Sequence, residues 1–330
     1  MDHVTEAKTQ RVPAVPWMQA GPFGLMVHWV RGTMPRAGAW ESDWDRACDS
    51  FDVERFAAQV ERSGARWVIF PFGHISGGGF YCSPNAHLES ITPGRCSRRD
   101  LVMDIADALQ RRGIRLITYL HAEVDCGGFD AALRDGMEWD ADPVDKSKYQ
   151  SHLMAVIREW SLRLGPRLSG WWFDGCYDSS AKSFLRTHTW DNRRFDFARW
   201  DEAVRAGNPR SIYAMNPGAN SFASVDARHE GYLGGEANDL AFTPADPRED
   251  GLPWHALVWI DCFWVHEKEP GPIPPPKYTA GELAAYCRAW KRWGGGVTWN
   301  VGIYQDGTIA EASIERLAET AALLKEREGP

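Results

Sequence analysis

The chain has 330 residues, 44% hydrophobic and 25% charged, which is ordinary for a globular protein and accommodates one large domain or two small ones. A formal net charge of -8 excludes the basic face that a nucleic-acid partner requires, and no apolar stretch approaches the roughly 20 residues of a membrane span. Seven cysteines, scattered and without a C-x-x-C pair, fit reduced thiols rather than a disulfide framework or a zinc site.

The first residues, Met1 to Glu6, lack the basic start and apolar core of a signal peptide. Together with the thiols they give the expectation of a cytoplasmic protein. A polar, proline-punctuated tail runs to about Ala20, and residues 21–330 read as a single domain because no linker breaks them. Phe23 to Val30 reads as a first buried strand that ends at His28 and Trp29. Asp52 starts a helix whose apolar positions Phe56 and Val60 lie one turn apart and which Gly64 stops. Arg66 to Phe72 is a second strand, opening into a flexible loop from His74 to Phe80. Leu101, Ile105 and Leu109 mark a helix closed by Gly113, and Ile114 to His121 is a third strand.

A long loop follows, then a helix with Tyr149, Leu153, Ile157, Trp160 and Leu164 on one face, terminated by Gly165-Pro166. The run Gly170-Trp171-Trp172-Phe173-Asp174-Gly175 reads as a fourth strand. Its unbroken apolar character is that of a parallel strand covered on both faces, and a carboxylate and a glycine stand where it surfaces. An Asp in such a place also caps helices and closes turns; two preceding aromatics and an open turn after it favour function. A helix around Phe197 to Val204 precedes two short strands, Ser211 to Asn216 and Gly231 to Glu236. Trp254 to Trp264 reads as a strand and its continuation, and Pro270 to Pro276 as a stiff surface loop. Thr279 with Glu282 is a capping box for a helix carrying Leu283, Tyr286, Trp290 and Trp293. Gly296 to Val301 is the last strand, and Thr308 with Glu311 caps a final helix through Leu324.

Strand and helix alternate along the chain, with about eight strands, which is the pattern of a (β/α)8 TIM-type barrel, an α/β fold whose active site lies where the strands end. A doubly wound sheet is disfavoured, since no G-x-G-x-x-G or Walker sequence is present. On a barrel the strand-end groups His28, His74, His121, Asp174 and Glu236, with Asp261 a further candidate, converge on one bowl. Histidines and carboxylates there could hold zinc or manganese, but there is no H-x-H or H-E-x-x-H. A carboxylate pair performing glycoside hydrolysis needs no cofactor or metal, and none is expected. Histidine would then bond hydroxyls and tryptophan stack on a sugar face; with 17 tryptophans, some are expected to line a pocket.

These residues resemble a known family, glycoside hydrolase family 29, the α-L-fucosidases. Phe23-Gly24-Leu25-Met26-Val27-His28-Trp29 is similar to its F-G-I/L-F-I/V-H-W-G. Phe51 to Gly64 followed by Ala65-Arg66-Trp67-Val68 is similar to its F-D stretch ending in A-G-A-K/R-Y/W. Arg99-Asp100-Leu101-Val102 and Arg112-Gly113-Ile114 match its R-D-L-V and R-G-L pieces, and Trp172-Phe173-Asp174-Gly175 matches its W-F-D-G. Asn300-Val301-Gly302 with Asp306-Gly307-Thr308-Ile309 is close to its N-I/V-G-P and D-G-T-I.

The resemblance implies a retaining glycosidase with Asp174 as nucleophile and Glu236 near the position of the acid/base, with Glu267 and Glu123 as competitors for that role. It implies sugar contacts from His28, Tyr119, Trp172 and Trp264, to which the strand-end reading adds His74 and His121, and a small-molecule glycoside or oligosaccharide as the partner. The family's usual C-terminal β-sandwich is not expected within these 330 residues. The family's K-H-H-D-G-F reads as Phe72 to Phe80 here, its E-W as Ala39-Trp40 and its N-D-R as Asn216-Pro217-Gly218. These departures put L-fucose itself in question and leave a different sugar, or a carbohydrate-binding barrel without activity, as alternatives.

Overall fold

A computed structural model describes residues 15–74, 77–124, 131–142, 146–176 and 195–326. Residues 1–14 of the expected tail, Ile75 and Ser76 of the loop, and Cys126 lie outside the described residues. The eight strands are β1 (Gly24–Met26), β2 (Trp67–Pro71), β3 (Arg115–His121), β4 (Leu168–Asp174), β5 (Ile212–Met215), β6 (Glu236–Ala237), β7 (His255–Trp259) and β8 (Gly296–Asn300). Every pairing among them is parallel, in the order β5-β4-β3-β2-β1-β8-β7-β6. The first and last strands of the chain are therefore neighbours, and the sheet is curled as in a (β/α)8 fold.

The two ends of that order, β5 and β6, flank a seam bridged by other groups. Gly231 donates its N–H to the Tyr213 carbonyl at 2.8 Å, while the buried carboxyl of Glu230 accepts the N–H groups of Met215, Val225 and Asp226 at 2.9, 2.8 and 2.8 Å. Glu230 thus does the work of a missing ladder partner. For the same reason no strand forms over the expected Gly231 to Gly235, and the two-residue β6 only begins at Glu236: the Gly234 carbonyl faces the Trp172 and His255 side chains, not a neighbouring strand.

Inside the sheet, Met26, Trp67, Ile69, Ile117, Tyr119, Trp172, Ile212, Ala214 and Leu257 form one cluster. Its N-terminal end is stoppered by Met18, on a short helix at Pro16–Ala20 that occupies the last residues of the expected tail, which are packed into the barrel floor instead. The polar atoms of this floor form a satisfied chain: Trp67 Nε1 donates to Thr298 Oγ1 at 2.8 Å, the same hydroxyl lies 2.9 Å from His255 Nε2, and His255 Nδ1 is 3.2 Å from the Gly234 carbonyl. Burial holds His255 neutral by pushing its pKa down to about 4. The Trp67 indole needs room that only glycine leaves, since a Cβ on Gly24 would stand 1.9 Å from its Nε1.

Helices pack on the outer face, where a larger cluster includes Phe56, Val60, Leu109, Ile157, Trp160, Leu283, Trp290 and Leu317. Asp52 caps the helix Val53–Ser63 by accepting the Arg55 N–H, and both arms of the Thr279–Glu282 capping box are formed. The expected Thr308–Glu311 box is not. The last helix, Glu311–Lys325, has Ala310 at its N-cap without a side-chain bond, because Thr308 belongs to a tight turn in which its own N–H donates to Asp306. Strict alternation also fails, since among the described residues no helix separates β5 from β6 or β6 from β7. The expected flexible loop after β2 begins as a short antiparallel ladder, with His74 opposite Phe80. No helix among the described residues is long and apolar enough to cross a membrane.

Gly24→Ala is expected to destabilise the fold by about 1–3 kcal/mol in urea unfolding. Trp67→Leu in the same chain should relieve part of that loss. Simple additivity of the two changes would show that the indole does not occupy the space beside Gly24.

Candidate active site

The C-terminal ends of the strands bring the expected residues together. A cavity of about 210 Å³ is lined at depth by His28, His74, Trp172, Asp174 and Glu236, and towards its rim by Phe263, Trp264, Val265 and Glu267. Its volume equals the liquid share of about seven waters, which suits a single small ring. A larger groove of about 680 Å³ lies at the opposite, N-terminal end of the barrel, lined by Trp17, Arg66, Arg115 and Lys291. It contains none of the strand-end groups.

Asp174 ends β4 and is 14% exposed at its side chain. Its Oδ1 accepts from the Gly175 N–H and from Asn216 Nδ2, both at 2.8 Å, and its Oδ2 accepts from the Tyr119 hydroxyl at 2.7 Å. His121 Nε2 lies 3.9 Å from the same Oδ2. Asn216 is the connecting group, because its Nδ2 also donates to Glu236 Oε2 at 2.6 Å. Its Oδ1 accepts the Gly218 N–H at 3.2 Å, which fixes the orientation of the amide. Gly218 is in the positive-φ region, at +117°, where a residue with a Cβ would be strained.

The two carboxyl groups are thereby held in opposite states. Burial alone would raise the pKa of Asp174, but the imidazoles of His121 and His74 and the donors Asn216 and Tyr119 outweigh it and hold the carboxyl below its usual range. Burial lowers the pKa of both imidazoles, that of His74 to about 3. Glu236 is pushed up to about 8, first by burial and then by the Asp174 charge, against the single Asn216 bond. At neutral pH Asp174 is a carboxylate and Glu236 a carboxylic acid.

The histidines form an aromatic wall. His28 Nδ1 is 2.8 Å from Asn300 Oδ1, and Asn300 Nδ2 donates to the Trp264 carbonyl at 3.0 Å, so Oδ1 must accept and His28 Nδ1 carries the proton. With its pKa lowered by burial, His28 offers Nε2 as an acceptor. His74 stacks on Tyr119 at 5.6 Å, and Tyr119 on Trp172 at 5.4 Å. Tyr119 is fully buried with its hydroxyl on Asp174, and the Trp172 N–H is spent on Gly234, so both brace the cavity.

One ligand-type atom from each of His74, His121 and Asp174 falls within 4.8 Å of the others, so these three could converge on a divalent ion. The donors on both Asp174 oxygens would compete with it. Asp261 is not in the bowl: its carboxyl accepts from the N–H groups of Cys262 and Gly302 and from the Ser313 hydroxyl, tying β7 to the last helix. Glu123 is fully buried behind the site, its Cγ 2.7 Å from where a Cβ on Gly175 would stand, and Glu230 sits in the seam. Trp40 is 37% exposed and not part of the cavity wall. Of the tryptophans, Trp172 and Trp264 line the cavity, whereas Trp29, Trp160, Trp171, Trp200, Trp290 and Trp299 fill the core. Phe263 carries no sequence signal of function, and Asn216 and Asn300 carry only their places in the family's N-D-R and N-I/V-G-P positions.

The sequence model described as alpha-L-fucosidase matches residues 45–328. No curated protein matches by sequence. Among solved structures, the chain is similar to alpha-L-fucosidase AlfC from Lactobacillus casei in complex with its α-L-fucose product, with 15% identity, a TM-score of 0.62, and coverage of 95% of this chain and 98% of that one. It is similar to alpha-L-fucosidase isoenzyme 1 from Paenibacillus thiaminolyticus, with 17% identity, a TM-score of 0.64, and coverage of 94% and 75%. It is also similar to an endo-fucoidan hydrolase of glycoside hydrolase family 107, MfFcnA4, with 15% identity, a TM-score of 0.65 and 95% of this chain covered, and spans 54% of that protein's length.

A protonated carboxyl at Glu236 is expected in infrared difference spectra at pH 7, absent in Glu236→Gln and titrating away near pH 8. In Asp174→Asn the same band should titrate at lower pH, because the charge that helps to raise Glu236 is gone. An unshifted titration would break the assigned coupling.

Proposed function

The chain belongs to the α-L-fucosidase family of glycoside hydrolases, and on that premise we propose that it is a retaining glycosidase that removes a terminal sugar through a covalent glycosyl-enzyme intermediate. Asp174 attacks the anomeric carbon as the bond to the leaving oxygen breaks, and Glu236 gives that oxygen its proton. Water then enters, Glu236 removes a proton from it, and the resulting oxygen attacks the anomeric carbon and releases Asp174. Two inversions leave the configuration retained.

The observation that carries this reading is the pair of hydrogen bonds, 2.8 and 2.6 Å, made by one Asn216 nitrogen to the two carboxyl groups. The two bonded oxygens cannot be farther apart than those lengths laid end to end, a close approach that supports the ~5–5.5 Å spacing of retaining enzymes. Their opposite protonation supports the assignment of Asp174 as nucleophile and Glu236 as acid. Glu267 is at the rim and Glu123 behind the wall, so neither shares this bridge.

A cavity for one ring suits an exo-acting enzyme. The leading substrate is an α-L-fucoside. Ala39 in place of the family's Glu and Pro217-Gly218 in place of its Asp-Arg remove polar partners, which favours a related sugar as the second reading. His28 and His74 present imidazoles to hydroxyl groups, and Trp264 an aromatic face, whereas His121 stands outside the cavity lining, beside Asp174. Free thiols at all six described cysteines support a cytoplasmic setting.

A screen of aryl glycosides is expected to show turnover, with 4-nitrophenyl α-L-fucoside below a kcat/KM of about 10⁴ M⁻¹s⁻¹. Asp174→Ala should abolish it; activity within tenfold of the parent would remove Asp174 from the role. Glu236→Ala should cost about 10²–10⁴-fold on poor leaving groups and far less on good ones. Azide should restore turnover of activated substrates and give the glycosyl azide of retained configuration. Equal losses on both leaving-group classes without rescue would pass the role to Glu267 or Glu123. In the parent, kcat/KM on poor leaving groups should fall as pH rises through about 8, where Glu236 loses its proton, and fall again in acid as Asp174 gains one.

A further inference from the structure

We propose that Phe263 is the platform for the leaving group, selecting glycosides whose departing part has a flat apolar face, either an aryl group or a second pyranose ring; this rests on the catalytic reading above. Phe263 is 66% exposed, yet it lines the cavity mouth. Single exposed apolar side chains are common. This one differs in being held by a built support.

Its ring stands edge-to-face against Trp259 at 5.6 Å and 79°, and against Trp264 at 6.4 Å and 65°. Trp259 is fixed in turn by the Lys277 ammonium, whose Nζ is 3.0 Å from the ring centroid and donates to the Asn238 carbonyl at 3.1 Å, two residues after Glu236. The backbone is pinned as well. The Val265 N–H donates to the Phe263 carbonyl at 2.6 Å across Trp264, whose φ is +54°, so the chain makes a γ-turn of the rare positive-φ kind. Asn300, the residue that orients His28, holds the Trp264 carbonyl in place. Strain of this sort persists only where the surroundings enforce it.

The position of the turn gives it its role. It follows β7, which pairs with β6 in the register Glu236 to Leu257. Asp174 is on β4, beyond β5 in the strand order. The leaving oxygen must lie within hydrogen-bonding reach of Glu236, so the departing group extends over the β6–β7 side, where Phe263 stands. The ring being hydrolysed is deeper, between Trp172, Trp264 and the carboxyl pair. An exposed aromatic face then meets the flat side of whatever the sugar is attached to.

The test compares parent, Phe263→Ala and Phe263→Tyr on one α-glycoside series that differs only in the leaving group: methyl, 4-nitrophenyl and a second pyranose. The sugar is the one the aryl-glycoside screen identifies. In Phe263→Ala the aryl-to-methyl and pyranose-to-methyl ratios of kcat/KM are expected to fall roughly three- to tenfold, while Phe263→Tyr keeps the parent ratios. A drop in the aryl ratio alone identifies an aromatic leaving group, and a drop in the pyranose ratio alone a disaccharide. Unchanged ratios overturn the proposal. If the parent turns over none of the series, the catalytic reading fails, and the platform is judged from calorimetric affinities of the same glycosides. There, too, an aryl or pyranose preference indifferent to Phe263 overturns it.

Discussion

A single amide nitrogen, Nδ2 of Asn216, donates to Asp174 and to Glu236, and the chemistry available to this site depends on that arrangement. Two carboxyl groups so close cannot both ionise cheaply in a buried cavity. The donors are divided unequally: Asp174 has the Gly175 N–H and the Tyr119 hydroxyl as well, whereas only the Asn216 bond opposes the rise at Glu236. One proton is therefore left between them, and the distribution of donors puts it on Glu236. The Gly218 N–H on Asn216 Oδ1 keeps the amide from flipping, so the division is built into the backbone.

The scaffold places these groups by trading strand regularity for side-chain packing. Trp67 fills the floor because Gly24 leaves space beside it, and the floor's polar atoms close on one another through Thr298 and His255. At the seam between β5 and β6 regular pairing lapses and Glu230 takes the backbone donors instead. Glu236 and Asn216 come from opposite sides of that seam. A continuous ladder there would fix both backbones by strand register alone; here, bonds from Glu230, Tyr213 and Asn216 set their approach.

The fold was readable wherever a strand is buried on both faces. Continuous apolar runs at Trp67–Pro71, Arg115–His121 and Leu168–Asp174 mark β2, β3 and β4 in the sequence, and His28, His121 and Asp174 follow as groups at or just past strand ends, whereas Glu236, expected to end its strand, opens the two-residue β6. Legibility failed where the partner of a residue is distant in the chain. Nothing near Asn216 announces that it bridges Asp174 and Glu236, 42 residues before it and 20 after it, nor does anything near Asn300 announce His28. Asp261 shows the converse error: a carboxylate near a strand end looked available, but Ser313 and two backbone N–H groups occupy it. Thr308 and Glu311 have the spacing of a capping box, but Asp306 captured the turn first.

The same logic separates the deep part of the cavity from its mouth. At depth the polar groups are spoken for in pairs, with His28 held by Asn300, Tyr119 by Asp174 and Trp172 by Gly234, so a ligand meets a surface whose tautomers and rotamers are already set. Preorganisation of this kind favours one ring shape and one hydroxyl pattern, which is why the losses at Ala39 and at Pro217-Gly218 bear on the identity of the sugar and not on the type of reaction. At the mouth, the Phe263 side chain makes ring contacts above a backbone pinned by its γ-turn, and apolar faces discriminate by shape far less sharply than hydrogen bonds do. A site built this way reads the ring at depth by hydrogen-bond pattern and the group at its mouth by the shape of an apolar face.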